Sequence, residues 1–276
     1  MSLSAGHLAW AQKHGGILRL ASPASPANMS ILETATIVAV MPMMGVFNNL
    51  IMFDQHKPQV SLDTIVTDLA TSWSWNEDDT ALTFQLRQDV KWHDGKPFTA
   101  ADVKCTWDLL LDKRPDKLRL NPRKTGYENL TDVTTNGDYE VTFKLKRQQP
   151  AFPMLLAGGF SPIYPCHIKA EQMRQHPIGT GPFKFVEFKP NEGIKVTRNP
   201  DYWKKDRPYL DGIEYNIIQE PSTADLTFAS GKFDMTFPFE LSVVRYNNMR
   251  ERVPDAVCEL SPGTLSTHLL INRAQQ

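Results

Sequence analysis

The sequence carries almost no net charge and no block of like charge. Its 30 lysines and arginines nearly cancel 31 aspartates and glutamates, for a formal charge of -1, and no stretch holds five or six charges of one sign. Neutralising a phosphate backbone needs a basic excess, so nucleic acid is not an expected partner. Apolar runs are short as well. The longest, Ile37 to Phe47, is broken by Pro42 and falls below the ~20 residues of a membrane-spanning helix. Cysteine is scarce: Cys105, Cys166 and Cys258 lie far apart with no C-x-x-C pair, which removes zinc ribbons and thioredoxin-type motifs. An odd count leaves at least one thiol free, or all three. Cys105, set in a helical pattern, reads as a small buried hydrophobe.

The usual catalytic and metal-binding signatures are missing too. Among His7, His14, His56, His93, His167, His176 and His268 there is no H-x-x-x-H or H-E-x-x-H spacing, so no preformed metal site is expected, and no cofactor. No G-x-S-x-G supplies a nucleophile. Trp92-His93-Asp94-Gly95 places His beside Asp, but neighbours in a turn point apart and nothing converges on them. Gly179-Thr180-Gly181-Pro182 lacks a phosphate-loop pattern, and Pro182 removes an amide donor; it reads as a tight turn before a strand. Glu77-Asp78-Asp79, after Trp73 and Trp75, suits a solvated turn better than a sugar or cation site. No enzyme emerges from local chemistry.

What is present is enough apolar sequence (41%, against 22% charged) for a real core. Met1-Ser2-Leu3 looks like a leader, and Ala9-Trp10-Ala11 before Gln12 has the small-x-small form of a signal-peptidase site, so residues 1–14 read as leader and signal-peptide remnant. Ile17 to Leu20 reads as a short buried strand that runs into a loop at Ser22-Pro23. Thr36 to Phe53 reads as helical despite Pro42, its methionines (Met41, Met43, Met44, Met52) filling core. Thr80 to Arg87 alternates as a half-buried strand. Thr99 with Asp102 forms a capping-box variant ahead of Val103, Trp107, Leu110 and Leu111 on one helical face, with Pro115 as the stop.

Asn136-Gly137 and Pro190 to Gly193 each signal a hairpin, and Ile213 to Ile217 another strand. Ser222 with Asp225 should cap a helix that Gly231 ends, and Phe233-Asp234-Met235 resumes an extended run. With no repeats, low-complexity tract or flexible linker, this irregular mixture predicts a mixed α/β fold of α+β character, not a doubly wound parallel sheet.

A longer pattern runs through the chain. Asp68-Leu69-Ala70-Thr71-Ser72-Trp73 is followed by Leu82-Thr83-Phe84-Gln85-Leu86-Arg87-Gln88-Asp89-Val90-Lys91-Trp92-His93-Asp94-Gly95-Lys96-Pro97-Phe98-Thr99. Next come Ile178-Gly179-Thr180-Gly181-Pro182-Phe183, Arg198-Asn199-Pro200-Asp201-Tyr202-Trp203, Tyr209-Leu210-Asp211-Gly212-Ile213, and finally Leu269-Leu270-Ile271-Asn272. From Gly15 onward this closely resembles the bacterial family of extracellular solute-binding proteins that serves peptide, opine and nickel ABC importers.

The resemblance implies a periplasmic-binding-protein-like first lobe made of residues 15–46 and 166–276, the latter part ending at the hinge. An inserted α+β subdomain would occupy residues 47–165, and the second lobe would be absent from these 276 residues. It implies a non-enzymatic, periplasmic carrier whose partners are a peptide or similar solute and a membrane permease, with self-association possible through the incomplete lobe. Candidate ligand contacts are Ser22, Pro23, Ala24 and Met29 after the first strand, Phe160 beside Gly158-Gly159, and Phe239 and Glu240. A hydrolase using His93 or His268, and a chemoreceptor or chaperone-like binding protein, remain as alternatives.

Overall fold

The computed structural model describes residues 13–237 and 242–257. In chain order these form β1 (Ile17–Ser22), α1 (Ile37–Met44), β2 (Ile51–Phe53), β3 (Ile65–Thr67), β4 (Ala70–Trp75), β5 (Ala81–Leu86), α2 (Ala100–Leu110), β6 (Leu130–Thr135), β7 (Glu140–Leu145) and α3 (Phe152–Ala157). Then follow α4 (Ala170–Met173), β8 (Phe183–Lys189), β9 (Gly193–Arg198), β10 (Gly212–Ile217), α5 (Pro221–Ala229) and α6 (Val243–Arg252). The fold is mixed α/β. One sheet has the order β1-β10-β9-β8, a second β4-β5-β7-β6, and β2 pairs with β3 as a short ribbon. Every pairing is antiparallel except β1 with β10, which runs parallel with Ile17 opposite Gly212.

Alternation sets the second sheet. Leu82, Phe84 and Leu86 of β5 and Val141, Phe143 and Leu145 of β7 are all buried, so the residues between them are left to the other face. Among the described residues the ladders of β4 to β7 run between these four strands, Phe84 lying between Trp73 and Val141. Helix α2 covers the apolar face: Trp107 is fully buried, with its ring centroid 4.7 Å from Phe143 and an interplanar angle of 85°. Burial of a ring this size contributes roughly 2–3 kcal/mol before packing effects. The helix starts as its sequence specifies, with the Thr99 N–H donating to Asp102 Oδ2 at 3.0 Å. Asp102 also accepts from Trp92 Nε1 (3.2 Å) and from the Cys166 N–H (2.8 Å), so one carboxylate joins cap, signature motif and the following segment.

The structure departs from sequence expectation in several places. Helix α1 stops at Met44, and the chain re-forms as β2 at Ile51, because residues 45–50 run alongside other backbone: Phe183 N–H reaches Gly45 O (3.0 Å), Gly181 N–H reaches Val46 O (2.9 Å) and Leu69 N–H reaches Asn49 O (3.0 Å). Of the methionine cluster Met43 is fully buried, but Met44 is 46% exposed. Helix α2 ends ahead of Pro115, with Asp112 already at φ 59°. The cap of α5 is Glu220, whose carboxylate accepts from Ser222 N–H; Pro221 at the first helical position moves the start forward. Gly231, at φ 74°, does follow its end. Met235 makes a single parallel bridge to Leu20, not a strand.

Cys105 is half-buried and forms a disulfide with Cys166 across a Cα–Cα distance of 5.4 Å, 61 residues apart in sequence. The reading of Cys105 as a small buried hydrophobe is therefore corrected. Spacing alone does not reveal that α2 and the segment after residue 165 come side by side. Cys258 lies outside the described residues.

Candidate functional site

The turn at residues 179–182 shows how tightly the signature motifs are used. A Cβ on Gly179 would lie 1.9 Å from Val46 O, and one on Gly181 2.6 Å from Gly45 O, so only glycine admits this close backbone approach. His93 closes the turn. Gly179 N–H donates to His93 Nδ1 (3.3 Å), which makes Nδ1 the bare nitrogen, and Nε2–H donates to Gly181 O (3.0 Å). Burial lowers the His93 pKa to about 4, and nearby Lys184 pushes the same way. Both ring nitrogens are spent on main chain, so the residue acts as a staple and offers no base. Among the described residues no group of three or more His, Cys, Asp or Glu side chains could hold a metal. Glu77, Asp78 and Asp79 form the exposed turn between β4 and β5.

The sequence-derived candidates divide. Ser22 and Met29 have no exposed surface, Ser22 Oγ donating to Ala24 O at 3.3 Å. Ala24 is half-buried, and Pro23 borders a small recess with Phe233, Met235 and the Asp225–Arg245 ion pair (2.7 Å). Phe160 is 39% exposed. Phe239 and Glu240 lie outside the described residues.

Around Phe160 the structure assembles a surface that sequence reading missed. Its core is Arg123, whose guanidinium sits 3.9 Å above the centre of the Phe160 ring. Arg123 Nη2 donates to Thr34 O. Thr34 lies three residues before α1, and α1 presents Ile37, Met41 and Met44 along one face at i, i+4, i+7. Ile37 and Met44 are exposed, Met41 partly so. The far end of that face returns to the start: a Cβ on Gly159 would lie 2.7 Å from Met44 Cε. Thr34, Arg123, Phe160, Gly159 and the α1 face thus form a closed circuit of contacts around an apolar surface with one cation.

Buried hydrogen bonds hold the circuit rigid. Arg123 precedes a 3-10 turn, Lys124–Tyr127, and Tyr127 Oη is 2.7 Å from Ser161 Oγ, next to Phe160. Asn49 Nδ2 donates to Gly158 O at 2.7 Å. Tyr164 Oη bonds Ser30 Oγ (3.1 Å) and stacks on Phe47 with centroids 5.2 Å apart. Burial pushes Tyr127 and Tyr164 up to about 12, so both remain neutral donors. Burial also lowers the Arg123 pKa, opposed to a smaller extent by those two tyrosines. Arg123 sits in a loop without hydrophobic period, and only its basic neighbours (Arg119, Lys124) marked the stretch in sequence.

Comparison with known proteins gives this framework a family. Residues 64–276 match the model of bacterial extracellular solute-binding proteins, family 5 middle region. The chain is 34% identical over 183 residues to the oligopeptide-binding protein AppA of Bacillus subtilis, covering 62% of this chain and 33% of that protein. It is 30% identical over 212 residues to di/tripeptide-binding protein 1 of Pseudomonas aeruginosa, covering 69% and 38%. Among solved structures, AppA in complex with a nonapeptide superposes with a TM-score of 0.75 at 28% identity, over 87% of this chain and 47% of that one. NikZ of Campylobacter jejuni in complex with Ni(L-His) gives 0.70 at 26%, over 85% and 45%. The chain spans roughly a third to a half of the length of these proteins. By sequence and by fold, it belongs to the family 5 bacterial extracellular solute-binding proteins.

Proposed function

We propose that these residues form the first lobe of the substrate-binding component of an ABC-type importer, which captures a peptide or similar small solute outside the cytoplasmic membrane and delivers it to a permease. The observation that carries the reading is the family match over residues 64–276, joined to a likeness to peptide-bound AppA over 87% of the chain. In this proposal residues 15–46 and 166–276 build the lobe and 47–165 the inserted subdomain. The self-contained pairing of β4 to β7 supports that division.

The lobe supplies one wall of a cleft, and a second lobe closes on it by hinge motion to desolvate the solute. Pro23, Ala24 and Phe160 are the sequence candidates with surface to offer. The protein is a carrier and not an enzyme, a reading supported by His93 being fully engaged by main chain. A periplasmic location agrees with the Cys105–Cys166 disulfide, a bond that persists in oxidising compartments. Among the described residues no helix is long and apolar enough to cross a membrane. Exposed Leu226, Val243 and Val244 on α5 and α6 support self-association through that end of the lobe.

Native mass spectrometry of protein purified without refolding tests the reading. A co-purified mass that exchanges with added di- to nonapeptides is expected. Protein that is always bare, and silent to a peptide panel in calorimetry, would overturn it.

A further inference from the structure

We propose that Arg123, seated on Phe160, anchors a carboxylate of the solute, while the solute's apolar portion lies on Phe160 and the Ile37–Met41–Met44 face of α1. This deepens, and rests on, the solute-binding reading above. Arg19, Arg114, Arg174, Arg198 and Arg245 each pair with a carboxylate. Arg123 is half-buried, yet among the described residues no carboxylate lies within ion-pair distance of it. A partly desolvated cation of this kind is costly unless an anion answers it.

The acid adjoining Thr34 is already committed. Glu33, beside Thr34, is 2% exposed at its side chain and takes Arg174 in a two-pronged pair, Nε to Oε2 at 2.6 Å and Nη2 to Oε1 at 2.9 Å. It also accepts the Arg119 N–H at 2.5 Å. Glu33 is therefore fully engaged by Arg174 and the Arg119 main chain, and makes no ion pair with Arg123.

Hydrogen-bond inventory points the same way. Among the described residues, Nη2 of Arg123 finds one acceptor, the Thr34 carbonyl, and Nε is buried with no partner. Nη1 makes no hydrogen bond among the described residues. A carboxylate reaching Nη1 would form a charge-assisted bond in a partly water-excluded setting, the kind that carries most energy. Stacking on Phe160 and the Thr34 bond fix the plane of the guanidinium, so little freedom is lost when the anion arrives. The exposed apolar surface beside it, with Phe160, Met44 and Ile37 at 39%, 46% and 40% exposure, suits an uncharged hydrophobic neighbour of that carboxylate.

The test compares a peptide with its own amide. Tri-alanine and tri-alanine amide are titrated into the protein by NMR, following the Arg123 Nε–Hε signal together with calorimetric affinity, for the native chain and for Arg123→Gln and Arg123→Lys. Circular dichroism melting confirms that each variant is folded. Expected is about a tenfold preference for the free acid in the native chain, collapsing to parity in Arg123→Gln and partly kept in Arg123→Lys. Equal binding of acid and amide by the native chain would overturn the subsite while leaving the solute-binding reading standing. An acid preference that survives in Arg123→Gln would overturn it likewise. Failure of both peptides to bind any of the three proteins would overturn the subsite, while the solute-binding reading is decided separately by native mass spectrometry and the wider peptide panel.

Discussion

His93 Nε2 lies 3.0 Å from the carbonyl oxygen of Gly181 while its other ring nitrogen accepts from Gly179 N–H, so one imidazole bridges both ends of a three-residue turn. The bridge exists only for the neutral ring. An unfolded histidine near 6.5 takes up a proton that the folded one refuses until about pH 4. The unfolded state therefore binds more protons between these values. The contribution is fully present above pH 6.5 and is lost as pH falls toward 4.

Urea unfolding should accordingly show a loss of about 2 kcal/mol between pH 7 and pH 5 attributable to His93. The measurement is the difference in that loss between the native chain and His93→Gln. Equal losses in the two would show that the ring titrates normally.

Gly179 and Gly158 should respond in opposite ways to alanine. A Cβ at Gly179 would overlap a backbone carbonyl at 1.9 Å, whereas at Gly158 the nearest atom is 3.6 Å away and φ is -70°. Gly179→Ala is expected to cost at least ~3 kcal/mol or prevent folding. Gly158→Ala should stay within about 0.5 kcal/mol of the native chain. Denaturation midpoints of both variants check this.

The disulfide makes a countable prediction. With three cysteines in the chain and Cys105 bonded to Cys166, thiol titration in denaturant without reductant should find one free thiol. Closing a loop of 61 residues restricts the unfolded chain by roughly 4 kcal/mol in the chain-entropy account. Reduced protein, or the double Cys→Ser variant, should unfold correspondingly earlier in urea.

Trp92 is 2% exposed, packs edge-on against Phe98 and donates to Asp102 Oδ2. Trp92→Ala should cost roughly 3–5 kcal/mol and leave the acid-over-amide preference at Arg123 unchanged in whatever fraction stays folded. A stable Trp92→Ala protein with altered solute preference would move Trp92 from the core to the site.

Signals carried between near neighbours were legible in the sequence. The alternation at Leu82, Phe84 and Leu86, the Thr99–Asp102 cap and the Asn136-Gly137 turn all depend on residues within a few positions of one another. What escaped depends on segments that meet only after folding. The Cys105–Cys166 pair, the two hydrogen bonds of His93 and the early end of α1 against residues 179–183 are tertiary events. The same holds at the site. Phe160 stood out as an aromatic beside two glycines, but Arg123, 37 positions earlier, becomes its partner only because Tyr127 and Ser161 tie the two loops together. Met29, placed on the loop after β1, is drawn wholly into the core and shows how little a loop assignment says about accessibility.

The parallel pairing of β1 with β10 has a consequence for the order of events along the growing chain. Among the described strands, β1, beginning at Ile17, finds its ladder partner only when Gly212 to Ile217 are available, whereas β4 to β7 can close their sheet from a stretch of fewer than a hundred residues. Contacts between distant positions form slowly, because the intervening loop must close before any bond repays the ordering. The middle sheet should nucleate first and serve as the platform on which the outer segments later converge. During that interval the unpaired edge of β1 is the part of the polypeptide most open to capture by another chain or by a holding chaperone.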